Sequence, residues 1–409
     1  MPQYRVGWLL PISQPPIRDA WLRTDRGRIV AFGHSRPGDF TPSDEVDLGH
    51  VAVLPGLVNA HTHLELSWMR GRIPEADDFV AWLRAVIALS RATEQQGGDV
   101  PLAIAGAVDE ARRFGTALIG DVSNTLATTA VLVERDMPAV VFHELLGFPA
   151  ERAAAVAARG EAMVEKAIGS DQVTHTLSAH APYSVSPAIF GAIRTALQRT
   201  PFARSSVHLG ESAAEVEFLC DGTGPFRALL DDLGVWDPSW VAPDCDPVQY
   251  LDRMGFLDAR LLVVHGVQFR LAELERLVAR GATLVTCPRG NMRTGAGTPP
   301  IAEFFESGAR IAVGTDSLAS VPDLNVFAEV AEMRRLAPDV PARLLLECAT
   351  VNGAAALGFE SDFGVIEAGK RDRLIAVEAE GMVPNIEEYL VSGIDAAQIT
   401  WLSSTPNRQ

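Results

Sequence analysis

The sequence predicts an α/β fold: a closed (β/α)8 barrel flanked by a small β domain drawn from both chain ends. Three observations predict it. From Val51 onward, eight short apolar runs rich in β-branched residues alternate with stretches of helical period. Repeated strand–helix units imply a parallel sheet, and eight of them suggest closure. The N-terminal segment instead holds short strand-like runs separated by turns, and the pattern returns near the C-terminus. Several of the eight runs also end in histidine or aspartate, at the strand ends where such barrels carry their active sites. The boundaries read this way are residues 1–53 and 360–409 for the composite β domain and 54–359 for a catalytic barrel.

In order, strands are predicted over 4–10, 20–24, 28–33 and 45–53, with turns at Asp25-Arg-Gly27 and Pro37-Gly-Asp39. The first barrel strand is the run from Val51 to His63, and helix 79–91 follows with Phe79, Trp82, Leu83 and Val86 on one stripe. Strand 116–121, helix 126–135, strand 139–146 and the alanine-rich helix 150–168 come next. Strand 173–180 precedes helix 187–199, which has proline at its start. Strand 205–209 and helix 212–220 lead into an excursion over 221–259 with helices at 225–233 and 247–254. Strands 261–266, 283–287 and 310–316 alternate with helices 271–280 and 300–307, and helix 325–336 and two shorter ones run to about 357. Strand pattern resumes over 363–377 and near 399–402. The whole is a (β/α)8 TIM barrel with a β appendage.

At 409 residues the chain can bury a large core. Its net charge of -17 argues against nucleic acid or an anionic membrane as partner. Cys220, Cys245, Cys287 and Cys348 are widely spaced and read as reduced thiols. The N-terminal apolar run, Val6-Gly-Trp-Leu-Leu-Pro11, is too short for a signal sequence, and no stretch reaches the length of a membrane span. A cytoplasmic enzyme is expected. The only lysines are Lys166 and Lys370.

Strand alternation places Asn59, His61 and His63 on one face, with both imidazoles at the tip of the first barrel strand. Two neutral imidazoles side by side begin a divalent-metal site. Strand five ends in His208 with Glu211 three residues on, strand six in His265 and strand eight in Asp316. Each alone is an ordinary polar cap; together they describe one site.

This series, His-x-His, His-x-x-Glu, His-Gly and Gly-Thr-Asp, resembles the amidohydrolase superfamily, in particular its cytosine deaminase and triazine hydrolase branch. Pro55-Gly-Leu-Val-Asn-Ala-His-Thr-His63 and Phe363-Gly-Val-Ile-Glu-Ala-Gly-Lys370 resemble it as well. The resemblance implies that the end strands build a composite β-sandwich. Binuclear members need a carbamylated lysine at a strand end; strand four here ends in His180 and neither lysine is near one. The resemblance therefore implies one divalent metal ion, Zn or Fe, held by His61, His63, His208 and Asp316, with a position open for water. Such an ion lowers the pKa of water; Glu211 would move the proton and His265 would hydrogen-bond the water or forming oxyanion, and Glu211, His265 and Asp316 are the expected catalytic residues.

The segments around His180, Tyr183, His208-Leu-Gly-Glu-Ser212 and Cys287-Pro-Arg-Gly-Asn291 are similar to aminofutalosine deaminases of menaquinone biosynthesis, as are His63-Leu-Glu65 and Phe79-Val-Ala-Trp-Leu83. This similarity implies a 5′-substituted adenosine as substrate, contacted by Glu65, His180 and Arg289, with Trp68 or Tyr183 stacking on the base. The sequence departs from the pattern at Gly290, where serine is more usual, and over 317–321. The resemblance also implies a homodimer, with a small-molecule substrate as the other partner. The alternatives are a hydrolase expelling chloride or an alkylamine from a triazine-like ring, and a metal-free binding protein.

Overall fold

In the computed structural model of the chain, residues 2–34, 45–94, 99–167, 169–200, 202–379 and 383–402 are described. The turn expected at Pro37-Gly-Asp39 and the last residue of helix 150–168 lie outside them. The chain forms two compact units: residues 1–59, 111–118 and 325–409, and residues 60–110 and 119–324.

The first unit carries one continuous seven-stranded sheet. Its strands are Gln3–Leu9, Ile17–Asp25, Arg28–His34, Glu45–Asp47 and Val51–Pro55 from the N-terminal part, and Leu374–Glu378 and Ile399–Trp401 from the C-terminal part. Leu374–Glu378 pairs antiparallel with Val51–Pro55, which makes the sheet composite. One face buries Val6, Leu9, Leu22, Ile29, Val53 and Leu374 in a shared core. Two expected strands are divided. The run 45–53 breaks at Leu48-Gly49-His50, where Gly49 has φ +69. The run from Val51 breaks at Gly56, giving Val51–Pro55 and Leu57–Thr62.

Gly56 is where the chain changes sheets. Its N–H donates to the Arg373 carbonyl at 2.8 Å, and the next N–H, of Leu57, donates to Gly115 at 2.8 Å. A Cβ at Gly56 would lie 2.5 Å from the Ala117 Cβ, so only glycine lets the backbones approach. Helices Val326–Leu336, Ala342–Cys348 and Val351–Leu357 also fall within this unit, whereas the sequence reading assigned them to the barrel domain. The Val58 N–H donates to Ala349, and Gly353 packs on the Val58 side chain, which ties them there.

The barrel has the expected eight strands: Leu57–Thr62, Thr116–Ser123, Ala139–Leu145 and Val173–Ala179 in one run, Ser205–Leu209, Leu261–His265, Thr283–Thr286 and Arg310–Val313 in another. Strands four and five join where the His208 N–H donates to the His180 carbonyl at 2.9 Å. Strands eight and one join where the Thr315 and Asp316 N–H groups both donate to the His61 carbonyl at 3.1 Å. The strand side chains are almost all buried, as parallel strands covered on both faces require.

Helix Val100–Arg113 was not foreseen: Gly106 in its interior weakens its helical signature. Residues 363–377 are strand only from Leu374, because turns at Gly364 and Gly369 occupy the rest. No helix among the described residues is long and apolar enough to cross a membrane.

Candidate metal centre and active site

Barrel closure brings the tips of strands one, five, six and eight together. A parallel bridge between Thr62 and Asp316 sets strand eight beside strand one. The Asp316 Oδ1 then lies 3.6 Å from the His63 Nε2 and 3.8 Å from the His61 Nε2. The Nε2 atoms of His63 and His208 are 3.2 Å apart. The His208 Nδ1–H donates to the His180 carbonyl at 2.9 Å, which leaves Nε2 as a lone pair facing its neighbour. The buried His61 Nε2 has no hydrogen-bond partner among the described residues. Burial pushes the His61 imidazole down to about 3 and that of His208 to about 4, so both rings are neutral.

Neutral imidazoles converging with a carboxylate, one nitrogen orphaned, fit a divalent cation. His61, His63 and Asp316 offer ligand atoms within 4.8 Å of one another, as do His61, His208 and His265. Lys166 ends helix Ala153–Lys166 and Lys370 bonds the Glu360 carbonyl; neither lines the cavity described below.

Glu211 and His265 form a second pair in the same cavity. The His265 Nε2 is 3.3 Å from the Glu211 Oε1. On the other side of the ring, the Asn291 amide N–H donates to His265 Nδ1 at 2.9 Å, which places the ring proton on Nε2, facing Glu211. Burial raises the Glu211 carboxyl well above its ordinary range, with Asp316 and Glu215 adding to the rise. The loop carrying Glu211 is held from below. Glu215, fully buried, accepts the N–H groups of Gly210 and Glu211 at 3.0 Å each. Gly210 has φ +60, and a Cβ there would meet the Phe269 ring at 2.3 Å, so Gly210→Ala is expected to displace Glu211 and lower kcat at least tenfold. Steady-state kinetics beside a circular-dichroism spectrum would check it. His265 and Asp316, with φ 81 and 58, both sit in the left-handed region despite their side chains, a strain that clusters at functional sites.

The cavity above this cluster has a volume of about 310 Å³. His63, His180, Tyr183, His208, Glu211, His265 and Asp316 line it. Three residues expected to contact substrate do not line this cavity. Glu65 accepts from Ser123 Oγ at 2.5 Å and from the Thr125 N–H at 3.2 Å. Trp68 lies beneath the Arg72 guanidinium. Arg289 donates through both terminal nitrogens to Asp323 Oδ1 at 2.9 Å, bracing the loop after strand eight. Arg289→Met is accordingly expected to cost about 1 kcal/mol in denaturant titration, as partly exposed ion pairs do, and to leave KM nearly unchanged.

Glu144 and Asn124, at the ends of strands three and two, line the cavity without having been foreseen, and they bond each other at 2.9 Å. Glu144 also lies 3.5 Å from His208 Nδ1. An apolar wall was equally unforeseen as lining: Trp82, Leu83, Val86 and Ile87 from helix Phe79–Glu94, facing Leu229 and Leu230 from helix Gly224–Asp232. The departure at Gly290 has a steric reason: a Cβ there would lie 3.3 Å from the Asp316 carboxylate. The Ser320 Oγ donates to Asp316 Oδ2 at 2.6 Å on the same side.

The amidohydrolase family model matches residues 52–400. The chain belongs to that family. It is a metal-dependent hydrolase. It is 32% identical over 373 residues to a 5-methylthioadenosine/S-adenosylhomocysteine deaminase of Halobacterium salinarum, covering 88% of this chain and 80% of the relative. An aminodeoxyfutalosine deaminase of Deinococcus radiodurans is 30% identical, with 82% and 80% covered. Among solved structures, an adenosine deaminase of Xanthomonas campestris with bound zinc superposes with a TM-score of 0.80 at 25% identity, over 97% of this chain and 90% of that one.

Proposed function

We propose that this amidohydrolase releases ammonia from a 6-aminopurine nucleoside substituted at its 5′ position. The observation that carries the reading is the Glu211–His265 pair, 3.3 Å apart, in one cavity with His63, His208 and Asp316 and with His61 packed beside it. The activities named for the relatives, on 5-methylthioadenosine, S-adenosylhomocysteine and aminodeoxyfutalosine, support the substrate class. His61, His63, His208 and Asp316 would hold a single zinc or iron ion, which when bound supplies Lewis acidity that brings the pKa of water towards neutrality.

The remaining work falls to the side chains. Glu211 takes a proton from water as its oxygen adds to the purine carbon bearing the amino group. The same carboxyl, whose burial favours the protonated form, passes that proton to ring nitrogen N1 and then carries the second proton, from the added hydroxyl, to the amino group. His265 donates from Nε2 to the oxygen as it gains charge. The carbon–nitrogen bond then breaks, leaving a 6-oxopurine and ammonia. His180, with Nδ1 bonded to Ser184 Oγ at 2.5 Å, and Tyr183 would position the nucleoside.

An ammonia-release assay over adenosine, 5′-methylthioadenosine, S-adenosylhomocysteine, cytosine and guanine tests the reading. Preference for a nucleoside is expected; preference for a free base would overturn it. Metal analysis of active protein is expected to give one ion per chain, and two would refute the single-ion centre.

A further inference from the structure

We infer that Thr62 is a positioning residue: its hydroxyl holds the backbone of Asp316 in the conformation that turns the carboxylate towards the imidazoles. The inference rests on the metal centre proposed above and concerns a side chain that would not itself touch the ion.

Strand alternation points His61 and His63 into the barrel and Thr62 the other way. Thr62 is fully buried and is not among the residues lining the cavity. Its Oγ1–H donates to the Asp316 carbonyl at 2.6 Å. The Asp316 N–H in turn donates to the His61 carbonyl at 3.1 Å, beside the Thr315 N–H at the same distance. Both backbone groups of Asp316 are therefore tied to consecutive residues of strand one. Strand eight comes this close because Gly314 has no side chain: a Cβ there would lie 2.6 Å from the His61 carbonyl oxygen.

The tie matters because the conformation is not one that aspartate prefers. The Asp316 φ of 58 lies in the left-handed region, which a residue with a Cβ leaves readily for the right-handed or extended one. Such a rotation would swing the carboxylate off the site, since the side chain departs from the same Cα. The Ser320 hydroxyl occupies Oδ2 at 2.6 Å, and Oδ1 is left facing His63 at 3.6 Å and His61 at 3.8 Å. Ser320 holds the tip of the side chain; Thr62 holds its root. Without the Thr62 hydroxyl, the donor left to the Asp316 carbonyl among the described residues is Thr315 Oγ1 at 3.3 Å, beyond the usual range for a hydroxyl. Asp316 brings the only negative charge of the proposed ligand set, so its aim governs affinity for a dication.

The experiment compares zinc dissociation constants, measured from the loaded protein by titrating in a chelating dye, for the parent, Thr62→Val, Thr62→Ser and Thr176→Val. Valine keeps the shape of threonine and removes the hydroxyl; serine keeps the hydroxyl. Thr176 is the matched control. Its Oγ1–H donates to the Arg204 carbonyl at the same 2.6 Å, from strand four to the start of strand five, and neither residue adjoins a proposed ligand in sequence. Thr62→Val is expected to weaken zinc binding about 10–100-fold, the usual effect of removing a group that orients a ligand, while Thr62→Ser stays within about threefold of the parent. Thr176→Val should lower the melting temperature at saturating zinc and leave the dissociation constant unchanged. If Thr62→Val does not fold, Thr62→Ala, which only removes atoms, carries the same expectation. Zinc binding by the valine variant within about threefold of the parent would overturn the inference. So would a serine variant as weak as the valine one, or an equal loss at Thr176. Each of these outcomes leaves the metal centre and the deaminase reading standing. A parent protein that binds neither zinc nor ferrous iron would overturn the inference and the metal centre together.

Discussion

Asp316→Ala is expected to strip the chain of its metal and abolish turnover, and His61→Ala is expected to do the same. Each removes an atom that could ligate an ion from the cluster barrel closure gathers within a few ångströms. Asp316 brings the negative charge of the set, so losing it leaves three neutral imidazoles to hold a dication alone. The lost Lewis acidity corresponds to several kcal/mol of transition-state stabilisation, or about a thousandfold or more in rate. Both side chains lie at the end of intact strands, so the circular-dichroism spectrum should persist. Elemental analysis and kcat before and after metal add-back are the measurements. A variant that keeps a full complement of ion and turns over within tenfold of the parent would remove that residue from the ligand set.

Glu211→Gln separates proton transfer from metal binding. The amide keeps the shape and a hydrogen bond towards His265 but takes up no proton at neutral pH. The ion should therefore remain at parental stoichiometry while kcat falls by roughly 10²–10⁴. KM should change little, because the loss is confined to the transition state. Near-normal turnover with the ion in place would reassign Glu211 to a structural role at the start of helix Ala213–Asp221.

The strand ends were legible because a parallel barrel writes itself as repeated apolar runs, and a polar residue at the end of such a run stands out. His61, His63, His208, Glu211, His265 and Asp316 all converge as that pattern implies. The expected contact residues that do not line the cavity share a cause. Arg289, Glu65 and Trp68 sit in or beside the same motifs, but direction decides their role, and direction depends on partners remote in sequence: Asp323, Ser123 and Thr125. Trp82 and Leu230 were readable as core stripes of two helices; that those stripes face each other across a cavity depends on how the excursion between strands five and six folds back. Gly56 was hidden for a similar reason, because a sheet exchange leaves no mark on an apolar run beyond the glycine itself.

The facing nitrogens of His63 and His208, 3.2 Å apart, have a thermodynamic consequence. With that pair closed on itself, the buried His61 Nε2 beside it is left orphaned, a cost that the native state bears until an ion satisfies it. Ion binding is thus linked to folding: an ion that binds only the native chain adds about 2.7 kcal/mol of stability when its free concentration is a hundred times Kd. The melting temperature should fall under a chelator and climb with the logarithm of added metal. In a cell short of that metal, a larger share of newly made chains would stand open to proteolysis, and the supply of an inorganic nutrient would set the abundance of the enzyme as well as its rate.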